Sequence, residues 1–436
     1  MNRLQIDNLL PNVTAGLAAG VICVSFELSF AALIFSGRLA EHLSFGVGLI
    51  LFSVATTSVL IILLSSCPQI VVGSATAETA ILAWTAGAIA KDLSPAVPSA
   101  EILTTVIAMI ALTSVLTGMV LLVLGLFRAG NLVRWLPHPI VGSFMASSGW
   151  LLVTGAFEVM ADHPLKVAQM PLLIQPEALI RWIPGLLFAL YLLLLSRQKA
   201  HPFVIPLSLF AGIALFYLLL SFTDIPIAEA SAQGWMLEVQ QTQGLWQPLS
   251  WSNLPQVHWS AIAHQYVCIA TVVFLTAISL PLKMSGLELV MKQTIDSNQE
   301  LKAAGVANLA VGCVGGSLSY HAMNDTLLVH TLGATSRLAN WIGVSVFIAI
   351  SVLGSSLLAY FPKPILGGLL LFLGLLMLLE WSYDSWFTLS KQDYFIVQLI
   401  LVTSILIGFL QGLVIGWGMT VVLSTLRLYQ KKFHHS

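Results

Sequence analysis

The sequence has few charged residues. Only 8% of its 436 residues are Asp, Glu, Lys or Arg, whereas 58% are apolar. A soluble domain is about 25% charged. A chain this long and this apolar cannot bury its nonpolar side chains in one water-soluble core, so we expect the bilayer to be its solvent. The net charge of -1 gives no indication of a nucleic-acid partner.

Cysteine pairs and enzyme motifs are also missing. The four cysteines lie in apolar runs and none forms a C-x-x-C pair, which argues against a disulfide framework or a zinc site. The sequence has no P-loop, no H-E-x-x-H and no G-x-S-x-G. We therefore expect no enzymatic activity, no cofactor and no metal. If the chain moves a solute across the membrane, an ion gradient with H⁺ or Na⁺ as the coupling ion is the expected source of energy, and not ATP hydrolysis in this chain.

Long apolar runs dominate the rest of the sequence. A membrane-spanning helix needs about 20 largely apolar residues. The candidate runs are fourteen in number: 13–35, 45–64, 70–90, 102–127, 136–160, 178–196, 201–221, 261–282, 300–316, 323–336, 340–360, 364–380, 393–409 and 411–428. The sequence therefore predicts an all-α integral membrane protein of fourteen transmembrane segments, and the even number places both termini on one side.

The distribution of basic residues supports this topology. With a cytoplasmic N-terminus, 13 of the 18 Lys and Arg residues fall on the cytoplasmic side, as the positive-inside rule requires. Lys283 is counted among these 13, directly after the eighth run. The longest loop, 222–260, has no Lys or Arg and is placed outside. We expect a bacterial inner-membrane protein with both termini in the cytoplasm.

The outer loop divides the chain into two halves, 8–221 and 261–430, with seven segments each. Because seven is odd, the second half enters the membrane upside down relative to the first. The third segment of each half is the weakest, since it is polar at its start and interrupted by small residues. Two corresponding broken helices in inverted halves indicate a transporter binding site. A half-helix that starts at the membrane midplane presents unpaired N–H groups and a positive dipole end there.

Polar residues inside the apolar runs are the candidate site. The candidates for substrate binding are Glu27, Ser74, Ala75, Thr76, Thr276, Asn324, Asp325 and Thr326, and weaker candidates are Thr271, Ser279 and His321. For the hydroxyl-bearing residues the alternative is helix capping or helix packing. For the histidine the alternative is a hydrogen bond within the crossover.

Three acids, Glu27, Glu78 and Asp325, are the candidate coupling residues. A charged side chain at the centre of a spanning helix costs roughly 2.5–3.5 kcal/mol on insertion scales. The sequence places no Lys or Arg at a comparable depth to pair with them. We therefore expect the acids to face a hydrated cavity, to be protonated or to bind a cation. The alternative is that they lie near the interface or are hydrogen-bonded between helices.

Three motifs resemble those of a known family. They are "LVRWLPHPIVGSFMASSGWLL" at 132–152, "DSNQELKAAGVANLAVGCVGG" at 296–316 and "LGATSRLAN" at 332–340. In this order they resemble the SulP (sulfate permease) family, over about residues 8 to 430. The resemblance implies fourteen segments in a 7+7 inverted repeat, with a core of segments one to four and eight to eleven. Segments five to seven and twelve to fourteen would form a gate.

The resemblance also implies a function. Family members are secondary transporters of small anions such as sulfate, bicarbonate, chloride or dicarboxylates, and they are commonly homodimers in the lipid bilayer. Their substrate lies between the third and tenth half-helices, with help from the first and eighth segments. This chain departs from the pattern in three ways. The sequence stops at Ser436, so we expect the STAS domain that usually follows the last segment to be either absent or truncated. Glu27 stands where a neutral Gln is common, and Asn324-Asp325-Thr326 stands where Ser-Arg-Ser/Thr is common.

The acids conflict with a simple anion carrier. Two half-helix N-termini offer roughly half a positive charge each, whereas three ionised acids offer up to three negative charges. Either some acids are protonated when the anion binds, which gives proton–anion symport, or the substrate is cationic or zwitterionic, such as a basic amino acid. Because anion transport is the family's usual function, we expect the first and keep the second as the alternative. A non-transporting scaffold or a channel is a third hypothesis.

Overall fold

The computed structural model describes residues 3–130, 138–198, 203–237, 251–353 and 360–407, with a few further positions up to 418. Thirteen main helices follow one another: α1 Arg3–Ile34, α2 Leu43–Leu64, α3 Thr76–Asp92, α4 Ser99–Leu126, α5 His138–Ala161, α6 Pro176–Arg197, α7 Val204–Phe222, α8 Tyr266–Met291, α9 Ser297–Cys313, α10 Met323–Thr331, α11 Leu338–Leu353, α12 Lys363–Leu378 and α13 Lys391–Leu406. Two short strands, β1 Val72–Ser74 and β2 Ser319–His321, precede α3 and α10.

Shorter helical pieces connect the main helices. The 3₁₀ turns are Gly37–His42, Val167–Gln169 and Trp251–Gln256, and the one-turn α-helical pieces are Met170–Leu173, Ile227–Ala232, Trp259–His264 and Ser385–Thr388. A π-helical stretch, Leu379–Asp384, extends α12.

The predicted all-α membrane architecture is confirmed, and each of the first thirteen apolar runs coincides with a main helix. Eight helices in the described ranges are long and apolar enough to cross a membrane. The fourteenth run, 411–428, lies almost entirely outside the described residues, as do residues 238–250 of the outer loop. The count of fourteen, the inverted repeat and the boundaries 8–221, 222–260 and 261–430 therefore stay predictions.

The helices pack in two groups. In the core group, α1 to α4 with α8 to α11, α4 packs along α9, α1 along α11, and α2 against both α9 and α11. In the gate group, α5 to α7 with α12 and α13, α12 packs along α5 and α6, and α13 along α5. The pairs α1–α12 and α3–α5 join the groups. This packing agrees with the core and gate division that the resemblance implies.

Glycines allow the closest helix pair to approach. A Cβ atom added to Gly305 of α9 would lie 2.6 Å from the backbone nitrogen of Leu122 of α4, and one added to Gly118 would lie 2.6 Å from the nitrogen of Leu309. Real Cβ atoms do not come this close. Small residues thus let the two backbones touch, which is how helices associate in lipid, where no hydrophobic driving force operates between them.

The outer faces of the gate helices are apolar. Leu187 and Leu194 of α6 are 61% and 64% exposed, and Leu207 and Phe222 of α7 are 68% and 76% exposed. Large exposed apolar surfaces are rare on water-soluble monomers. These side chains face the hydrocarbon of the bilayer, in agreement with an integral membrane protein.

Candidate functional site

The two broken helices meet head to head through their strands. β1 and β2 form an antiparallel pair in which Val72, Gly73 and Ser74 lie opposite His321, Tyr320 and Ser319. After Ser74 the chain enters α3 at Thr76, and after His321 it enters α10 at Met323. The residues that precede the two helices, Ala75 and Ala322, make no side-chain caps. The positive ends of both half-helices therefore lie at one crossover inside the core group, as the sequence predicted.

A cavity of about 600 Å³ lies at this crossover. Eight of the residues proposed from the sequence line it: Glu27, Ser74, Ala75, Thr76, Glu78, His321, Asn324 and Asp325. The cavity also reaches Ser196 and Val204, which flank the connection between α6 and α7. Because that connection is predicted to be cytoplasmic, the cavity extends toward the predicted cytoplasmic side.

Glu27 of α1 binds the start of the first half-helix. Its Oε1 accepts a hydrogen bond of 2.7 Å from the backbone N–H of Ser74, and its Oε2 accepts one of 2.5 Å from the Ser74 hydroxyl. Glu27 is only 2% exposed. A carboxylate at a helix N-terminus is stabilised by the dipole and by charge-assisted hydrogen bonds. The chain thus supplies its own anion next to one positive helix end.

Glu78, in the first turn of α3, is the centre of a second network. Its Oε1 accepts hydrogen bonds from the Tyr320 hydroxyl at 2.9 Å, from Ser279 at 3.2 Å and from Thr276 at 3.4 Å. The Tyr320 hydroxyl in turn accepts a hydrogen bond of 3.2 Å from Lys283 Nζ. Glu78 is 2% exposed and Tyr320 is 1% exposed. Helices α3 and α8 and strand β2 are joined through this one carboxylate oxygen.

The expectation that no basic residue reaches the acids is wrong. Lys283 lines the cavity, and its Nζ lies 4.3 Å from the centroid of the Tyr320 ring. The reason is that α8 continues to Met291, well past the apolar run that ends at 282. Helical spacing could have revealed it, because Thr276, Ser279 and Lys283 are three and four residues apart and share one face.

Asp325 and Asn324 lie in the first turn of α10, and both line the cavity. Asp325 interacts with the thiol of Cys23 of α1 and electrostatically with Lys283. Both half-helices therefore carry an acid in their first turn, Glu78 in α3 and Asp325 in α10.

Two of the proposed substrate contacts lie behind the cavity wall. Thr326 is fully buried, accepts a hydrogen bond of 3.0 Å from the Val71 N–H and donates one of 2.7 Å to the Ala322 carbonyl. It ties α10 to the chain before β1. Thr276 is also fully buried, and besides Glu78 it bonds the Val272 carbonyl at 2.9 Å. Neither is among the residues that line the cavity.

Of the weaker candidates, His321 has a buried acid as its partner. Its Nε2 lies 2.6 Å from Oε2 of Glu300, and both side chains are completely buried. Glu300, from the 296–316 motif, also accepts hydrogen bonds from the N–H and the hydroxyl of Ser66. Thr271 bonds the Val267 carbonyl within its own helix. Sequence reasoning missed Glu300, although its position in that motif was a signal.

The gate group supplies an apolar wall opposite the charges. The described apolar gate residues that line the cavity are Met145, Leu195, Val204, Ile205, Phe372, Leu373, Leu376 and Met377. Glu380 and Trp381, from the π-helical stretch after α12, also line the cavity. Among the described lining residues, the charged side chains thus belong to the core group except for Glu380, and most of the gate group's contribution is apolar.

Comparisons with known proteins agree with this architecture. The model of the sulfate permease family matches residues 9–400. A vacuolar basic amino acid transporter of Saccharomyces cerevisiae, VSB1, is 25% identical over 323 residues, which is 72% of this chain and 31% of that protein. A probable sulfate transporter of Mycobacterium tuberculosis, Rv1739c, is 28% identical over 144 residues, 33% of this chain and 25% of that protein. The chain thus matches a third or less of these relatives' length.

Two solved structures share the fold. The transmembrane domain of the cyanobacterial bicarbonate transporter BicA has a TM-score of 0.70 at 18% identity and covers 93% of this chain and 97% of that chain. The murine Solute Carrier 26 family member A9, an anion transporter in its inward-facing state, has a TM-score of 0.72 at 20% identity. That match covers 98% of this chain and 69% of that chain.

Proposed function

The chain belongs to the sulfate permease family of membrane transporters, and we propose that it carries a solute with a cationic amino or guanidino group. Basic amino acids are the class of solute that fits best, and the transport is secondary and ion-coupled. The observation that carries this proposal is the charge at the crossover. Glu27 binds the N-terminal end of half-helix α3. Glu78 lies in the first turn of α3, and Asp325 lies in the first turn of half-helix α10.

The charge balance favours a cation. Two helix N-termini contribute roughly half a positive charge each, and Lys283 contributes one more. Against them stand the carboxylates of Glu27, Glu78 and Asp325 at the crossover and of Glu380 on the gate side of the cavity, so the ionised site is negative without substrate. A small anion would also compete with Glu27 for the donors of Ser74. An amino acid matches both the acids and the helix N-termini of the site. Its ammonium group pairs with the acids, and its carboxylate fits a helix N-terminus.

The similarity to VSB1 supports the same class of substrate, because that yeast protein is a basic amino acid transporter and matches 72% of this chain. Glu27, Ser74, Ala75, Thr76, Asn324 and Asp325 are the proposed substrate contacts on the cavity wall. Thr276 and Thr326 act from behind it by holding Glu78 and the start of α10. Glu27, Glu78 and Asp325 are proposed to couple transport to H⁺ or Na⁺.

A second candidate is proton-coupled symport of a small anion of the sulfate, bicarbonate or dicarboxylate class. The fold it shares with BicA and the paired half-helix N-termini favour this candidate. It requires that some of the three acids are protonated when the anion binds. The ammonium of Lys283, which lines the cavity, would then also attract the anion.

Competition in proteoliposomes distinguishes the two candidates. We expect purified protein to take up labelled arginine when an inward proton gradient is imposed. Lysine should compete with this uptake, whereas sulfate and bicarbonate should not. Uptake of labelled sulfate that rises with the proton gradient, with no effect of arginine, would overturn the basic amino acid proposal. No saturable uptake or counterflow of either class would leave a scaffold or channel as the function.

The setting of the transporter is also proposed. We infer a homodimer in a bacterial inner membrane, with both termini in the cytoplasm and the loop at 222–260 outside. Thiol labelling of single cysteines placed in that loop and beside the connection of α6 and α7 tests the orientation. The first should react with an impermeant reagent from outside and the second only after the membrane is opened.

A further inference from the structure

The position of Lys283 suggests a role in the transport cycle. We propose that Lys283 is a tethered counter-cation that offsets the charge of Glu78 in the empty site, so that the carrier can return without substrate. This inference rests on the proposed transport of a cationic solute. Lys283 would make net uptake feasible, whereas a carrier without it would be restricted to exchange.

The geometry couples Lys283 to one specific acid. Its Nζ donates a hydrogen bond of 3.2 Å to the Tyr320 hydroxyl, and that hydroxyl donates one of 2.9 Å to Glu78 Oε1. The hydroxyl also lies 2.7 Å from the Ser279 hydroxyl, which helps to fix its position. Lys283 Nζ lies 4.3 Å from the centroid of the aromatic ring, where a cation is attracted to the π-face. A flexible lysine is thus held near Glu78 by a buried tyrosine.

The other acids have different partners. Glu27 is satisfied by the N–H and the hydroxyl of Ser74. Asp325 interacts with the Cys23 thiol and electrostatically with Lys283. Glu78 is therefore the acid whose negative charge is most directly balanced by the lysine, and its other partners are the neutral hydroxyls of Ser279 and Thr276.

The gate-group wall of the cavity explains why the charge balance between Lys283 and Glu78 matters. Met145, Phe372 and Leu376 of the gate group line the cavity and offer no hydrogen bonds from their side chains, and Glu380 adds a further acid on the gate side. Any movement that closes the charged half of the site against this wall removes water from the acids. An ionised carboxylate without water or a partner is costly in an apolar environment. A positive charge supplied by the protein itself therefore lowers the cost of closing the empty site.

Substrate and lysine then have complementary roles. A bound cationic solute adds positive charge to the site on the loaded passage. When the solute has left, Lys283 still balances Glu78 on the empty passage. Removal of the lysine affects the empty passage more than the loaded one, because on the loaded passage the substrate supplies a positive charge of its own.

The test compares two transport modes in the same proteoliposomes. Net uptake of labelled arginine is measured into vesicles without internal substrate, and exchange is measured into vesicles preloaded with unlabelled arginine. Both are run downhill, without a proton gradient. In Lys283→Met, net uptake falls by about tenfold or more while exchange stays within about twofold of wild type. In Lys283→Arg, which keeps the charge, both modes are retained.

A double variant separates charge balance from folding. Lys283→Met combined with Glu78→Gln removes one charge of each sign, and downhill net uptake recovers relative to Lys283→Met alone. Equal loss of net uptake and exchange in Lys283→Met, without recovery in the double variant, would overturn the proposal. So would unchanged net uptake in Lys283→Met. Failure of the proposed function is seen separately, because the wild-type protein would then transport no arginine in either mode.

Discussion

Glu27 of α1 holds Ser74 with both of its carboxylate oxygens, at 2.7 Å to the backbone nitrogen and 2.5 Å to the hydroxyl. In the fold shared with the bicarbonate transporter BicA, this places a negative side chain beside the start of the first half-helix. The site is therefore already partly neutralised by the protein itself. The first variant to test is therefore one that removes the charge of Glu27.

The variant Glu27→Gln keeps the length of the side chain and one oxygen that can accept from Ser74, but it loses the charge. We expect the KM for arginine to rise about tenfold, since a hydrogen bond to a charged group contributes about 1.5–3 kcal/mol. The concentration dependence of uptake measures this. Glu229→Gln, which removes an exposed acid far from the cavity, serves as the control and keeps the wild-type KM. An unchanged KM in Glu27→Gln would assign Glu27 to structure alone.

The variant Asp325→Asn removes the acid in the first turn of α10. We expect proton-driven uptake to be abolished, because a neutral amide can neither bind nor release the coupling proton. Uptake measured at several external pH values gives the result. Asn324→Ser, a neutral change in the same turn, retains the wild-type pH dependence. If Asp325→Asn responds to pH as the wild type does, Asp325 has no part in coupling.

The variant Tyr320→Phe removes the hydroxyl that joins Lys283 to Glu78 but keeps the ring beneath the ammonium group. The buried Glu78 Oε1 then loses its shortest hydrogen bond, which costs about 1–3 kcal/mol. The thermal midpoint in detergent should fall, and net uptake should fall with it. Tyr383→Phe, at a tyrosine that is 57% exposed, is the control and leaves the midpoint unchanged. A stable, fully active Tyr320→Phe protein would contradict the network.

The pair formed by Glu300 and His321 is completely buried, with 2.6 Å between Oε2 and Nε2. Loss of one partner from a buried pair is expected to cost about 3–5 kcal/mol, because the remaining polar group is left without a partner. Glu300→Ala should therefore lower the thermal midpoint strongly. The double variant Glu300→Ala/His321→Ala should lose less stability than the two single losses added together. Additive losses would mean that the two side chains do not stabilise each other.

The close contact of α4 and α9 depends on Gly305, which has no side chain. An alanine there would bring its Cβ to 2.6 Å from the Leu122 nitrogen, and the forced shift should cost about 1–3 kcal/mol. Gly87 of α3 is the matched control, since a Cβ at that position meets no atom within 4 Å. Gly87→Ala should leave the thermal midpoint the same or raise it, because alanine favours the helix. Equal midpoints for the two variants would contradict the close approach.

Hydropathy and breaker residues predicted most of the architecture. The first thirteen apolar runs correspond to helices, and the polar starts of the two weak runs mark where α3 and α10 begin. These features are local, because a spanning helix must satisfy its own backbone within the bilayer. The family resemblance predicted which half-helices meet.

The sequence alone does not predict which side chains contact one another. Lys283 was placed outside the membrane because hydropathy marks where apolarity ends and not where a helix ends. Thr326 was proposed to contact substrate, yet its hydroxyl faces the Val71 N–H across the crossover. This pairing joins residues 255 positions apart, and no local pattern fixes it. The proton or sodium coupling, the dimer and the roles of the site residues stay predictions.

The pairing of β1 with β2 separates the construction of the site from its chemistry. Main-chain atoms make the crossover, through the register Val72–His321, Gly73–Tyr320 and Ser74–Ser319. Side chains such as Glu27 and Asp325 add the charges that surround it. Under the proposed function, a few substitutions of such side chains would change the sign of the cargo without changing this backbone pairing. The same main-chain arrangement would then serve anionic and cationic cargo alike.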